Sequence, residues 1–183
     1  MLRTRLFTFG LLVVLLAAAA VLVIPTSDVF SQSSDQALPE ETRRLIDDVR
    51  DSTAEFRDLE SATEAGYEIF LDCFNNEEIG GMGQHYVSGR LAGDDVADPL
   101  RPEALVYAPR ADGTMLLVAL EYLIFEDQWT GDEPPTLFGQ EFHLKTDIPE
   151  TPPVWALHLW LWTHNPEGMF ADYNPTIFCP EAE

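Results

Sequence analysis

The stretch Thr114–Phe125 (TMLLVALEYLIF) constrains the fold more than any other part of this chain. Alternate residues of a strand point to opposite faces of the sheet, and both faces of this stretch are apolar. Such a strand lies inside a sheet that is covered on both sides. Its single charged residue is Glu121. Because a buried, unpartnered carboxylate is costly, we expect Glu121 to be paired, protonated or bound to a cation.

Further strands are predicted on either side of this one. Ala104–Ala108 is joined to it by a turn at Asp112-Gly113, so these two strands form a hairpin. Tyr67–Phe74 and Pro153–His164 have strand patterns, and residues 135–145 add a short strand or an ordered loop.

Helices are predicted before the strands. An amphipathic helix begins at Glu40, and the residues of its covered face recur at spacings of three and four: Leu45, Val49, Ser52, Phe56 and Leu59. Ser61 to Glu64 has the pattern of a capping box for a second short helix, which Gly66 would end. The order predicts an α+β fold, with the N-terminal amphipathic helix packed on a mainly antiparallel sheet.

Residues 1–31 have the pattern of a signal peptide or membrane anchor. Arg3 and Arg5 precede an apolar run, Leu6–Ile24, of roughly 19 residues, which is longer than most signal-peptide cores and close to a membrane span. Cleavage and retention therefore both stay open. In either case residues 32–39 form a linker and residues 40–183 form one extracytoplasmic domain, with this segment as its only contact with a membrane.

The charge of the chain limits its partners. A formal net charge of −22, with Lys145 as the only lysine, repels the phosphates of nucleic acids and anionic lipid headgroups. We therefore expect no nucleic-acid partner. The acid-rich, lysine-poor composition is also like that of proteins from salt-loving organisms.

The chain has two cysteines, Cys73 and Cys179. In an exported protein an even count predicts a disulfide, and two free buried thiols are the alternative. No further cysteine is present to form a zinc cluster or a haem attachment site.

Three polar residues interrupt otherwise apolar strands: His85, Glu121 and His158. If they converge, two imidazoles and one carboxylate form the ligand set of an open divalent metal site. One alternative is a hydrogen-bonded network that only satisfies buried polar groups, and another is that the three residues never meet.

Other residues have weaker patterns. Glu103, Tyr86 and Trp160 are expected to lie around this cluster, although Glu103 could instead be a solvated charge in a turn. His164 is expected at a strand end and His143 at the surface or in a loop.

Several motifs resemble those of a family of exported bacterial proteins of uncharacterised function: GMGQHYV, RPEALVY, ALEYLIF, PTLFGQEF and HLWLWTHNP. The resemblance covers about residues 62–180. It implies that His85, Glu103, Glu121, His158 and both cysteines belong to the shared pattern, and it implies no activity.

Three functions stay open at this point. The domain could bind a divalent metal ion or a small ligand in an apolar pocket through the three polar residues. It could be a hydrolase- or lyase-like enzyme that uses the same cluster, with Glu121 as the general base. It could also be a structural or envelope-interaction protein without a ligand. The sequence does not fix the oligomeric state.

Overall fold

The structure is a computed structural model that describes residues 38–76, 78–148 and 151–180. The predicted signal or anchor segment, residues 1–31, lies outside these ranges, as does most of the predicted linker. Both therefore stay predictions. None of the helices within the described ranges has the length and apolarity that are needed to cross a membrane.

Helix α1 spans Glu40–Thr53 and begins where the sequence predicts. Its buried positions are Ile46, Val49 and Thr53, whereas Ser52, which was expected on this face, is exposed. A short 3-10 turn, Ala54–Arg57, follows the helix. The covered face is thus rotated slightly from the one that the spacing predicts.

Helix α2 spans Leu59–Glu64 and begins earlier than predicted. The side chain of Asp58 accepts a hydrogen bond from the Glu60 amide at 3.2 Å, so Asp58 caps the helix and the capping box at Ser61 is wrong. Gly66 follows the end of the helix at φ +91°, a conformation that favours glycine, as expected.

The strands confirm the α+β class. They are β1 (Glu68–Asn76), β2 (Gly80–Val87), β3 (Ala104–Pro109), β4 (Met115–Phe125), β5 (Thr136–Leu137), β6 (Gln140–Glu141), β7 (His143–Lys145) and β8 (Val154–Leu159). Six of them form one antiparallel sheet in the order β1-β2-β3-β4-β8-β7, and β5 pairs with β6 separately. Strand β4 lies inside the sheet, as its two apolar faces predict.

The two faces of the sheet are covered differently. The face toward the helices carries the larger core, which includes Tyr86, Leu105, Tyr107, Leu120, Tyr122, Leu157 and Leu159. The opposite face carries a smaller apolar cluster, which includes Val106, Ala119, Trp160 and Ile177. Ile177 belongs to the C-terminal segment, which the disulfide Cys73–Cys179 ties to β1 and thereby confirms the predicted pairing.

A β-bulge interrupts the alternation of β4. Val106 pairs with Ala119, but the next residue, Tyr107, pairs with Leu117, so Val118 is skipped. Leu117 therefore packs in the core on the helix side, while Val118 packs on the opposite face. The strict alternation predicted for the first half of this strand is wrong for these two residues.

Strand β8 is shorter than predicted and ends at Leu159. The Trp160 amide donates to the carbonyl of Met169 at 2.8 Å, and the Trp162 amide donates to the carbonyl of Val118 at 3.1 Å. The chain thus leaves the sheet before His164. Regular alternation over the predicted strand Pro153–His164 would place Trp162 on the same face as His158, but Trp162 packs against the helix-side core, so this part of the strand prediction is wrong.

Candidate metal centre

The register of the sheet places Glu121 on β4 directly opposite His158 on β8. Residues that are directly opposite on neighbouring antiparallel strands have their side chains on the same face, with Cβ atoms about 5 Å apart. This cross-strand pair is the base of the candidate site. The face is the one away from the helices.

His85 reaches the same place from β2, which is two strands away from β4. Neighbouring strands are about 4.8 Å apart, so the backbones of β2 and β4 are separated by about 10 Å. Between them lies Ala104 on β3, which is paired with Val87 on one side and with Glu121 on the other. Because Ala104 is fully buried and has only a methyl group, it leaves space above β3 in which side chains from β2 and β4 meet.

The resulting polar atoms lie close together. The two histidine Nε2 atoms are 3.3 Å apart, and Nε2 of His85 lies 3.5 Å from Oε2 of Glu121. Nδ1 of His158 lies 3.5 Å from Oε1 of Glu121. One ligand atom from each of the three residues can be chosen so that all lie within 4.8 Å of one another. The structure therefore brings together the three residues that the sequence singles out, and this cluster could hold a metal ion.

These separations match the size of a zinc site. Zinc–nitrogen and zinc–oxygen bonds of about 2.0–2.1 Å in a tetrahedron place neighbouring ligand atoms about 3.3–3.4 Å apart. The distances from Nε2 of His85, 3.3 Å to His158 and 3.5 Å to Glu121, are close to this value. Two of the three separations between ligand atoms are therefore already of the size that a tetrahedral zinc ion needs.

Burial controls the protonation of the cluster. The exposed fraction is 0% for His158, 3% for His85 and 7% for Glu121. Burial lowers the pKa of His85 to about 4 and, together with the neighbouring His85, lowers the pKa of His158 to about 3. Burial also raises the pKa of Glu121 to about 8. At neutral pH and without a cation, both imidazoles are neutral and the carboxyl is protonated, so no charge is buried.

The hydrogen bonds within the cluster are incomplete. Nδ1 of His158 is buried and has no hydrogen-bond partner among the described residues. Nδ1 of His85 has no partner of good geometry there either, although a backbone hydrogen bond with Gly83 partly offsets the lowering of the His85 pKa. Buried polar groups in folded proteins are nearly always hydrogen-bonded. A metal ion bound through the Nε2 atoms would leave both Nδ1 atoms in the same state, so their surroundings do not distinguish a metal site from a structural network.

A cleft of about 580 Å³ opens onto the cluster. His85 and Glu121 line this cleft, whereas the fully buried His158 lies behind them. Lys145 also lines the cleft, and its Nζ is 2.5 Å from Oδ2 of Asp172. A metal ion held by the three residues would thus have its remaining coordination position on the cleft side.

The residues expected around the cluster have different surroundings. Trp160 stacks on His158, with ring centroids 6.0 Å apart and planes at 12°. Tyr86 points to the helix side of the sheet, where it contacts Tyr107 edge-to-face at 5.2 Å. Of these two residues, only Trp160 contacts the cluster.

Glu103 is not a solvated turn charge, because only 1% of it is exposed. Its Oε2 accepts a hydrogen bond from the Leu123 amide at 3.1 Å, so the side chain extends the ladder of β3 by one hydrogen bond. Burial raises the pKa of this carboxyl to about 8. Glu103 does not belong to the group of potential metal ligands.

The other two histidines lie away from the cluster. His143 is exposed, with Nδ1 3.2 Å from Oδ1 of Asp172. His164 is also exposed and follows the end of β8 rather than ending it.

Two small residues make room around the site, and only one of them, Gly83, was indicated by the sequence. Gly83, two residues before His85, has φ +98°, and a Cβ atom there would lie 2.6 Å from Cγ1 of Val106. The run of glycines in GGMG was the available signal for such a close approach. Ala104 gave no signal, because its importance depends on the register of three strands.

No protein family matches this chain in a search of family profiles, and no curated protein or solved structure matches it either. The resemblance of its motifs to the exported bacterial family therefore stays an expectation.

Proposed function

We propose that this protein binds one divalent transition-metal ion, such as zinc, through His85, Glu121 and His158. The observation that carries the proposal is the spacing of ligand atoms around Nε2 of His85, 3.3 Å and 3.5 Å, which is close to the edge of a zinc tetrahedron, in a buried group of two neutral imidazoles and a carboxyl. The disulfide Cys73–Cys179 supports an oxidising, extracytoplasmic location for this site.

Metal content and metal titration test this proposal. The protein purified from its own host should contain about one metal ion per chain, as structural and catalytic sites of this ligand type do. His85→Ala should lose the ion and remain folded. The matched control is His164→Ala, which removes an exposed histidine outside the cluster and should keep the ion. A metal-free native protein that also fails to bind added zinc would overturn the proposal.

The cleft supports a catalytic form of the same proposal. Three protein ligands leave one position for water, and a zinc-bound water has a pKa of about 7. Because His85 and Glu121 line the 580 Å³ cleft, a substrate could reach that position. We therefore propose metal-assisted hydrolysis as the second candidate function. It is tested by hydrolysis of activated esters with and without zinc, and equal rates for the wild type and Glu121→Gln would exclude it.

A further inference from the structure

The cleft beside the metal centre has the dimensions and walls of a small-molecule site. Its volume of about 580 Å³ falls within the range of roughly 300–1,000 Å³ that is typical of such sites. Most of its wall side chains are apolar, among them Leu71, Met82, Val87, Leu123, Phe125 and Ile148. A ligand that fills this cleft has an apolar body.

The charge at the base of the cleft selects the head of that ligand. A divalent ion with one carboxylate and two neutral imidazoles has a net charge of +1. Lys145 adds no further net charge, because Asp172 neutralises it at 2.5 Å. An uncompensated charge against apolar walls is unfavourable, so an anionic group at the open coordination position is favoured.

The rim of the cleft limits the ligand to one negative charge. Asp72 and Asp147 line the cleft and are exposed, and the whole chain has a formal net charge of −22. A second anionic group, away from the metal ion, would lie in a negative potential. The tail of the ligand is therefore uncharged.

We infer that the cleft binds a small amphiphilic monoanion, of the alkyl carboxylate class, with its head on the metal ion and its tail along the apolar walls. This inference rests on the proposed metal centre. It specifies a ligand class for the site, beyond the binding of the ion itself.

A cobalt-substituted full-length protein tests the inference. The visible absorption of bound Co²⁺ changes when an added ligand enters its coordination sphere, so titration reports only on ligands that reach the metal ion. The probes are acetate, butanoate, hexanoate and octanoate, with octan-1-ol as the uncharged probe of similar length. Each methylene that is fully buried strengthens binding by roughly fourfold, so octanoate should bind at least about tenfold more tightly than acetate. Octan-1-ol should change the spectrum little.

A matched pair of variants locates the tail. Leu123 lies on the cleft wall two residues from Glu121, and Leu123→Ser should weaken octanoate binding several-fold without affecting acetate. Leu144→Ser makes the same change on β7, at a residue that is outside the cleft lining, and should leave both affinities unchanged.

The possible results separate this inference from the proposed function. If Co²⁺ binds but affinity is independent of chain length, or octan-1-ol matches octanoate, the inference is wrong and the metal centre stands. If Co²⁺ does not bind, both are wrong. A rise in affinity with chain length that Leu123→Ser reduces and Leu144→Ser does not would support the inference.

Discussion

Zinc binding should release about one proton at neutral pH, and that proton should come from Glu121. Without a metal ion, the pKa of Glu121 is raised to about 8 and the pKa values of the two histidines are lowered to about 4 and 3. Only the carboxyl therefore has a proton to lose above pH 6. From a pKa of 8, binding releases about 0.9 proton from Glu121 at pH 7, about 0.5 at pH 8 and about 0.1 at pH 9.

An exposed cluster with ordinary pKa values would behave differently. Its histidines would supply the protons, about 1.5 in total at pH 6, about 0.5 at pH 7 and fewer than 0.2 at pH 8.

The same proton release determines how zinc affinity depends on pH. Because the carboxyl must lose a proton, zinc affinity should rise about tenfold per pH unit from pH 6 to 7 and level off above pH 8.

Calorimetric titration with zinc in buffers of different ionisation enthalpy measures the number of protons released. Water bound to zinc can also lose a proton, so Glu121→Gln is the control. This variant keeps both imidazoles, and at a higher zinc concentration it reports the contribution of the water alone. If the wild type and the variant release equal numbers of protons at pH 7, the inference that Glu121 is protonated in the metal-free protein is wrong.

Three shorter predictions concern the scaffold. Ala104→Val should fill the space above β3 and weaken zinc binding at least about tenfold. Overpacking should also lower the free energy of unfolding, measured by denaturant titration, by about 1–3 kcal/mol. An unchanged zinc affinity would contradict the inference that Ala104 leaves space for the cluster. Reduction of Cys73–Cys179, which closes a sequence separation of 106, should lower the free energy of unfolding by up to about 4.7 kcal/mol. If the urea midpoint of unfolding is the same with and without a reductant, this predicted loss of stability is wrong. Folding raises the pKa values of Glu103 and Glu121 from 4.5 to about 8, so the folded state holds these two protons more tightly than the unfolded state does. The stabilisation that this gives is fully present below pH 4.5 and is lost as the pH rises toward 8. Between about pH 7 and 8, where the cluster histidines are nearly neutral in the folded and the unfolded state, the free energy of unfolding of the metal-free protein should fall by roughly 1–2 kcal/mol per pH unit, and Glu103→Gln with Glu121→Gln should flatten this slope.

The three residues of the cluster could be identified from the sequence because they are polar residues in otherwise apolar strands. The α+β class followed from the order of the helical and strand patterns. The contact between Glu121 and His158 could not be predicted, because it depends on the register between β4 and β8. In a strand, a shift of one residue would move either side chain to the other face.

Two errors had the same cause. The periodicity of Thr114–Phe125 does not reveal the bulge at Val118, and the apolar run after Leu159 does not reveal where the chain leaves the sheet. In both places a long-range hydrogen bond or pairing overrides a regular local pattern: the carbonyl of Val118 accepts from the Trp162 amide. Alternation in sequence predicts a face only while the ladder is regular.

The three residues of the proposed metal site lie on β2, β4 and β8, and His85 and His158 are separated by 73 residues in sequence. No short segment of the unfolded chain contains the site, so the strands must pair before the ion finds its ligands. In contrast to a zinc finger, whose ligands are local and whose folding the metal drives, this domain would form first and bind the ion late. An ion that binds only after the folding transition state slows unfolding and leaves the folding rate unchanged. Metal binding here would therefore lengthen the lifetime of the folded domain.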